Sequence, residues 1–349
     1  MKTLRLGIAG VGLIGRAHWE HIRALDGCEL AAFADPSPQA AALARDAGVP
    51  LHADLSSLLR TEQLDGVILA TPNALHVPGA MECIEARMPA LVEKPVAETV
   101  ADAQRLAAAV QASGVPVLVG HHRRHSAILE RARALIAAGT LGRLVAVNGS
   151  ATYYKPDSYY EAGPWRKQLG GGPILINLIH EIDNLRVLVG EITEVQAFAS
   201  NATRGFAVED TVAINLRFAN GALGTFILCD SAASPRSWEQ TSHENKSYDH
   251  HGDEDCYIIA GTRGSLQVPT MRLFRYPAEA SWWQPLARET LAVPEIDPLA
   301  QQLAHFCAVI RGEAAPCVPV ADAARTLAVT LAVAAAARSG RPVAIAPGQ

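Results

Sequence analysis

A chain of 349 residues is long enough for two domains of ordinary size. Its 49% hydrophobic and 19% charged composition is that of a globular protein, and its formal net charge of −5 excludes a general nucleic-acid binder, whose phosphate affinity rests on clustered Lys and Arg. The densest basic stretch, His121-His122-Arg123-Arg124-His125, is too short to follow a polyanion.

The N-terminal MKTLRLGIAG runs directly into a strand pattern, without the apolar core of a signal peptide. No apolar run approaches the ~20 residues of a membrane span. The alanine-rich stretch from Ala321 to Ala336 is interrupted by Asp322 and Arg325 and predicts a packed helix. The six cysteines are scattered without zinc-site spacing and read as buried thiols of a reducing compartment. A cytoplasmic protein is expected, with no metal, membrane or nucleic-acid partner.

Short apolar runs alternate with helical patterns through the first 120 residues. Strands are predicted at Leu4–Ala9, Leu30–Ala34, Gly66–Ala70, Ala90–Val92 and Pro116–Val119, with helices starting near Leu13, Pro38, Ala74 and Thr99. Strands of four to six apolar residues suit burial on both faces, so the pattern predicts a doubly wound parallel sheet built from right-handed βαβ crossovers. One more helix, Ile128–Ala138, ends at Gly139. Beyond it the chain is strand-rich: Leu144–Tyr153, Glu194–Thr203, Thr211–Phe218, Ala222–Leu228, Cys256–Ala260 and Gly264–Val268, with Asn220-Gly221 as a hairpin turn. A helix over Pro173–Val189 interrupts these strands, and two more helices close the chain. Ser231–Asp255 reads as a long polar loop near the substrate or a subunit contact. The domains expected are 1–123, a dinucleotide-binding Rossmann domain, and 124–349, an α+β domain with an open, mostly antiparallel sheet. The last helices are free to pack back on the first domain.

Gly10-Val11-Gly12-Leu13-Ile14-Gly15 follows the first strand and opens the first helix. A dinucleotide fingerprint needs one glycine for the tight turn, one for approach of the pyrophosphate and one for close helix–strand packing. The helix N-terminus offers unpaired N–H groups to the phosphates. Asp35 closes the second strand, where a carboxylate accepts from both ribose hydroxyls and repels a 2′-phosphate; NAD is expected in preference to NADP. Thr71, Pro72 and Asn73 leave the next strand at the carboxyl edge, either as cofactor contacts or as a turn capping the following helix, on which His76 is a further candidate contact.

Glu93-Lys94-Pro95 follows another buried strand at the same edge. Lys94 either forms a strand-end salt bridge or reaches nicotinamide and a substrate oxygen. In Gly170-Gly171-Gly172-Pro173 and the helix after it, Asn177, His180, Asp183 and Asn184 fall on one α-helical face, a polar stripe that suggests a site, with His180 as the proton acceptor.

In that order, the Gly-x-Gly-x-x-Gly, Asp35, Ala70-Thr71-Pro72-Asn73, Glu93-Lys94-Pro95 and Gly170–Asp183 segments resemble the Gfo/Idh/MocA family (glucose–fructose oxidoreductase, inositol dehydrogenase, rhizopine catabolism). The resemblance implies the two-domain fold, NAD(P) chemistry on sugars, inositols or related cyclic polyols, and dimers or tetramers built through the open sheet. It makes Lys94 and His180 the catalytic pair; the candidate substrate contacts are His122, Arg124, Tyr153, Trp165, Arg166, Asn177 and Asp183, and Lys155 lies among the residues before the glycine run that look like pocket lining. One departure stands out: where the family often has aspartate four residues before the histidine, this chain has Ile176. Three other readings are a redox-neutral sugar-modifying enzyme that recycles bound NAD, a non-catalytic dinucleotide sensor, and a metal hydrolase using His243, Asp249, His250, His251, Asp253, Glu254 and Asp255.

Overall fold

The computed structural model describes residues 2–346 and divides into two compact units. One comprises residues up to His125 together with Pro298–Leu327; the other comprises Ser126–Asp297 and the residues from Ala328 onward.

The first unit is built on β1 (Leu4–Ala9), α1 (Leu13–Ala24), β2 (Cys28–Ala34), α2 (Pro38–Ala47), β3 (Leu51–His52), α3 (Leu55–Thr61), β4 (Gly66–Leu69), α4 (His76–Glu85), β5 (Ala90–Val92), α5 (Val100–Ser113) and β6 (Val117–Val119). All six strands are parallel, in the order β3-β2-β1-β4-β5-β6. The strand order reverses between β1 and β4, so the loops that leave them flank the crevice where such sheets take their ligands. Central positions such as Leu6, Ile8, Ile68 and Leu91 are fully buried, as both-face coverage requires. The short β3 and α3 escape the sequence reading because two strand residues and a seven-residue helix carry too few apolar positions for a period.

A segment from near the end of the chain, Pro298–Leu327, belongs to this unit, as the last helices were free to do. In α10 (Pro298–Ile310), Leu303, Phe306 and Val309 are buried, and a side chain on Gly66 would run into Phe306 and Ile310. The backbone at Val318 and Pro319 then pairs with β6. Five cysteines are buried, but Cys317 is exposed, which corrects the expectation for that thiol. The last helix, α11 (Val320–Ser339), is long and apolar enough to cross a membrane by length and composition, with mean hydropathy 1.5, contrary to the expectation that no run comes close. It is nevertheless 61% buried, with Leu327, Val329, Val333 and Ala336 inside, as a core helix is.

A short 3-10 turn, His122–His125, follows β6, and the His125 ring lies 5.1 Å from that of His305. Burial, with the neighbouring charges of His305, His122 and Arg124, holds His125 down at about 4. The folded chain therefore resists a proton that the unfolded chain accepts near its ordinary value, so stability is present above about pH 6.5 and declines as pH falls toward 4. The loss expected from this group is about 3 kcal/mol. Urea denaturation across that range should show a smaller decline in His125→Phe; an unchanged pH slope would count against this account.

The second unit contains α6 (Ala127–Ala137), β7 (Leu144–Thr152), α7 (Asp157–Glu161), α8 (Ile179–Leu188), β8 (Ile192–Ser200), β9 (Thr211–Phe218), β10 (Leu223–Cys229), α9 (Trp238–Ser242), β11 (Tyr257–Gly261), β12 (Gly264–Val268), β13 (Arg272–Arg275), β14 (Ala287–Thr290) and β15 (Val343–Ala344). Nine strands form one open sheet, β14-β13-β12-β11-β7-β10-β9-β8-β15, antiparallel except where β10 joins β7. Burial alternates along β9 and β10, so Ile214, Leu216, Phe226 and Leu228 enter a core with Leu129, Ile182 and Leu185, while Phe198, Leu223, Ile227 and Ile258 remain on the surface. At the β9–β10 turn Gly221 has φ of +86°, and the Asn220 side chain accepts from Ala222 N and donates to Val189 O.

Two expectations are corrected here. The polar 231–255 segment is not one loop: it contains α9, which buries Trp238 and Thr241, and its carboxylates Glu254 and Asp255 are paired with Arg236 and Arg272. Strands β13 and β14 were also not foreseen, because their four-residue runs mix Arg, Glu and Thr with few apolar positions.

Candidate active site

In the first unit, β1 and β4 lie side by side, with Ala70 N donating to Ala9 O at 2.8 Å, so the glycine loop and the Thr71 turn emerge together. Gly10 has φ of +88°, and a side chain there would collide with the Ala70 backbone. A Cβ on Gly15 would collide with the Gly10 carbonyl, so this residue sets the close packing of α1 on β1. Above Gly12 the space is open. These are the three roles a pyrophosphate-binding turn assigns to its glycines. Leu13, 84% exposed, and the half-buried Ile14 form the start of α1.

Asp35 accepts from the backbone N–H groups of Val11 and Ser37, both at 2.8 Å. Burial alone would push its carboxyl up; the Ser37 and Val11 hydrogen bonds and the Arg16 charge reverse this and hold it below the usual range. A carboxylate has about four acceptor positions, and the Val11 and Ser37 contacts do not use all of them, so acceptor capacity is left for a ribose hydroxyl. The Thr71 hydroxyl is buried and has no protein partner, a polar atom suited to a ligand, while Pro72 and Asn73 continue that turn at the edge. The open space at Gly12, the spare acceptors of Asp35 and the orphaned Thr71 hydroxyl fit a nicotinamide dinucleotide.

Three of the expected contact residues make hydrogen bonds or ion pairs within the protein. His76 is buried, its Nδ1 lying 2.7 Å from Pro95 O and its Nε2 2.9 Å from Thr71 O. Both ring nitrogens face backbone carbonyls, so the His76 ring ties the Thr71 turn to the Lys94-Pro95 turn. Glu93 likewise turns inward, its Oε1 2.8 Å from His18 Nε2, and Lys94 N donates to its other oxygen at 3.2 Å. Burial opposes the Glu93 carboxylate, but the His18 hydrogen bond and the charges of His18, Lys94 and His122 hold it below the usual range. This buried pair anchors the backbone from which the half-buried Lys94 side chain departs. Arg124 bridges to Asp322 at 2.8 Å, both groups largely covered, and so fastens the start of α11; His122 is half-buried.

In the second unit, the helix expected over Pro173–Val189 is not uniform. Ile174–Leu178 forms a π turn, and α8 starts only at Ile179. A π turn holds an extra residue, so Asn177 is rotated relative to His180 and the polar residues do not form the single α-helical face expected. His180 is 7% exposed and Asp183 1%, and Asn184 donates to the Tyr257 hydroxyl in the core. Glu209, half-buried, accepts from Ile174 N at 2.9 Å and caps the π turn.

Asn177 meets Lys155, whose Nζ donates to Asn177 Oδ1 at 2.7 Å and lies 4.8 Å from the Tyr159 ring centroid and 5.7 Å from that of Tyr153. Arg166 stacks on the same Tyr159 ring at 3.9 Å, beside Trp165, which is 52% exposed. Behind Lys155 stands Asp230, which accepts from Tyr160 Oη at 2.6 Å and Arg204 Nε at 3.0 Å. Asp230 and Arg204 were missed by the sequence reading. Asp230 had a signal, a carboxylate directly after the apolar strand β10, the same cue that singled out Lys94.

Two family models match the chain: "Oxidoreductase family, NAD-binding Rossmann fold" over residues 4–121, and "GFO/IDH/MocA C-terminal domain" over residues 129–267. The chain belongs to the GFO/IDH/MocA oxidoreductase family. It is 29% identical to a 1,5-anhydro-D-fructose reductase of Ensifer adhaerens, the match covering 99% of each chain. It is also 29% identical to an inositol 2-dehydrogenase of Rubrobacter xylanophilus, over 98% of this chain and 93% of that one. Among solved structures, the WlbA dehydrogenase of Bordetella pertussis in complex with NADH and UDP-GlcNAcA superposes with a TM-score of 0.80 at 25% identity, covering 99% of this chain and 100% of the other. Within this family the observed Rossmann sheet and open, mostly antiparallel sheet are the cofactor and C-terminal domains.

Proposed function

We propose that this oxidoreductase is a cytoplasmic NAD-dependent dehydrogenase that interconverts a CH–OH and a C=O group on a sugar, inositol or related cyclic polyol. The observation that carries the reading is the β1/β4 crevice, where Gly12 leaves open space, Asp35 keeps spare acceptors and the Thr71 hydroxyl is orphaned. The near full-length similarity to an anhydrofructose reductase and an inositol dehydrogenase supports the substrate class. NAD, when bound, supplies the hydride acceptor. Gly10, Gly12, Gly15, Asp35, Thr71 and Asn73 are the residues proposed to hold it, and the carboxylate of Asp35 disfavours a 2′-phosphate. His180 takes the hydroxyl proton, and Lys94 orients that hydroxyl and stabilises negative charge on its oxygen. Self-association as a homodimer or homotetramer is proposed through the outward sheet face, where Phe198 is 71% exposed beside Leu223, Ile227 and Ile258.

The test is formation of reduced nicotinamide with NAD and with NADP across inositols, aldoses, sugar acids and cyclic diols, on protein whose mass in solution has been measured by light scattering. Reduction of NAD by one polyol class is expected, with a weaker NADP reaction. Bound NAD with no reduction by any member would favour the redox-neutral or sensor readings, and a monomer would remove the self-association proposal.

A further inference from the structure

The position where a helix carboxylate is expected holds Ile176, and the residue after it, Asn177, is joined to a cation instead. Lys155 also pairs with the buried carboxylate of Asp230, at 3.5 Å. That carboxylate accepts at shorter range from Tyr160 and Arg204. Of the three Nζ donors, one goes to Asn177 and one faces Asp230, which leaves one.

The groups facing Lys155 are Asp230, Arg166 and Arg204, with the Tyr153 and Tyr159 rings. Glu209 also acts on it through space, but burial pushes that carboxyl up, toward its neutral form. Asp157, near Arg204, is exposed, and its charge is screened by water. Three cations thus gather around the buried carboxyl of Asp230, in a place where the Lys155 side chain is only 11% exposed. Burial pushes Lys155 down to about 8, against the pull of Asp230, so near neutral pH it remains an ammonium with little water around it.

The unsatisfied atoms nearby are donors as well. The Tyr153 hydroxyl and Arg166 Nε are buried without a partner. Together with the remaining Lys155 N–H they can present three donors, and an ionised carboxylate, which only accepts, complements such a set.

We infer that Lys155, set by Asn177 and flanked by Tyr153 and Arg166, binds a carboxylate on the substrate, so that the enzyme acts on acidic sugars or acidic polyols in preference to neutral ones. The inference rests on the dehydrogenase reading for its turnover but not for its binding. Lys155 is a specificity-determining residue in it, and Asn177 a positioning one.

The experiment titrates the full chain, with NADH present, by calorimetry against matched pairs: D-glucuronate with D-glucose, and D-galacturonate with D-galactose. The same pairs are assayed for NAD reduction. At least one acid should bind about 30-fold or more tighter than its neutral partner. Lys155→Met should weaken that acid about 100-fold and the neutral sugar at least tenfold less, while Lys155→Arg retains part of the preference. Equal binding of acid and neutral partner, or an equal loss of both in Lys155→Met, overturns the inference. The wild-type pairs and Lys155→Arg decide it even where Lys155→Met fails to fold. Acid binding without NAD reduction supports the carboxylate site and sinks the dehydrogenase reading. Reduction of neutral sugars with no acid binding does the reverse, and silence in both arms overturns the inference.

Discussion

Lys94→Ala is expected to lower turnover by about 10²–10³-fold while NADH affinity changes by only a few-fold. The magnitude follows from the role. A preorganised donor aimed at a developing alkoxide contributes in the transition state and little to ground-state binding, so its loss falls on kcat. The surroundings of Lys94 suit that role, because its backbone is fixed from two sides. Glu93, buried against His18 at 2.8 Å, accepts from Lys94 N, and His76 holds the Pro95 carbonyl at 2.7 Å. These contacts belong to the neighbours and remain in the alanine variant. A fluorescence titration with NADH beside steady-state kinetics separates the two effects. A variant with nearly normal kcat would remove Lys94 from the chemistry, and one with normal kcat but lost NADH binding would make it a cofactor anchor.

His180→Ala is expected to reduce kcat by about 10²–10⁴-fold, the range for loss of a positioned general base. His180 is almost fully buried at the start of α8, directly after the π turn that Glu209 caps through Ile174 N. With Ile176 in the place of the family aspartate, no carboxylate one turn before it strengthens the base. The informative measurement is the pH dependence of kcat. If His180 takes the proton, its removal should abolish the acidic limb and make the residual rate responsive to added imidazole. An acidic limb that survives in His180→Ala would pass the base role to Lys94.

Much of this molecule was legible in local patterns. The apolar runs marked β1, β4 and β5 within a residue or so, Asn220-Gly221 marked its hairpin, and Gly10, Gly12 and Gly15 stand in the three roles their spacing implies. Asp35 sits at the end of β2 as expected. These features depend on backbone geometry and on which faces of a strand or helix are buried. Both repeat over a few residues, so they can be read from the chain alone.

What spacing could not show is which distant group each polar side chain would choose. His76 faces carbonyls five and nineteen residues away, Glu93 meets His18 across 75 positions, and Arg124 finds Asp322 across 198. Nothing local distinguishes a histidine that will touch a ligand from one that ties two turns together. Lys155 is the same case: its meaning comes from Asn177, Asp230, Tyr159 and Arg166, brought around it by β7, the π turn and the end of β10. The residue types and the strand-end positions were determined by the sequence. The pairing that leaves some of them satisfied, and others as donors with no partner, was decided by tertiary packing, because a buried polar group must be matched by whatever the fold places beside it.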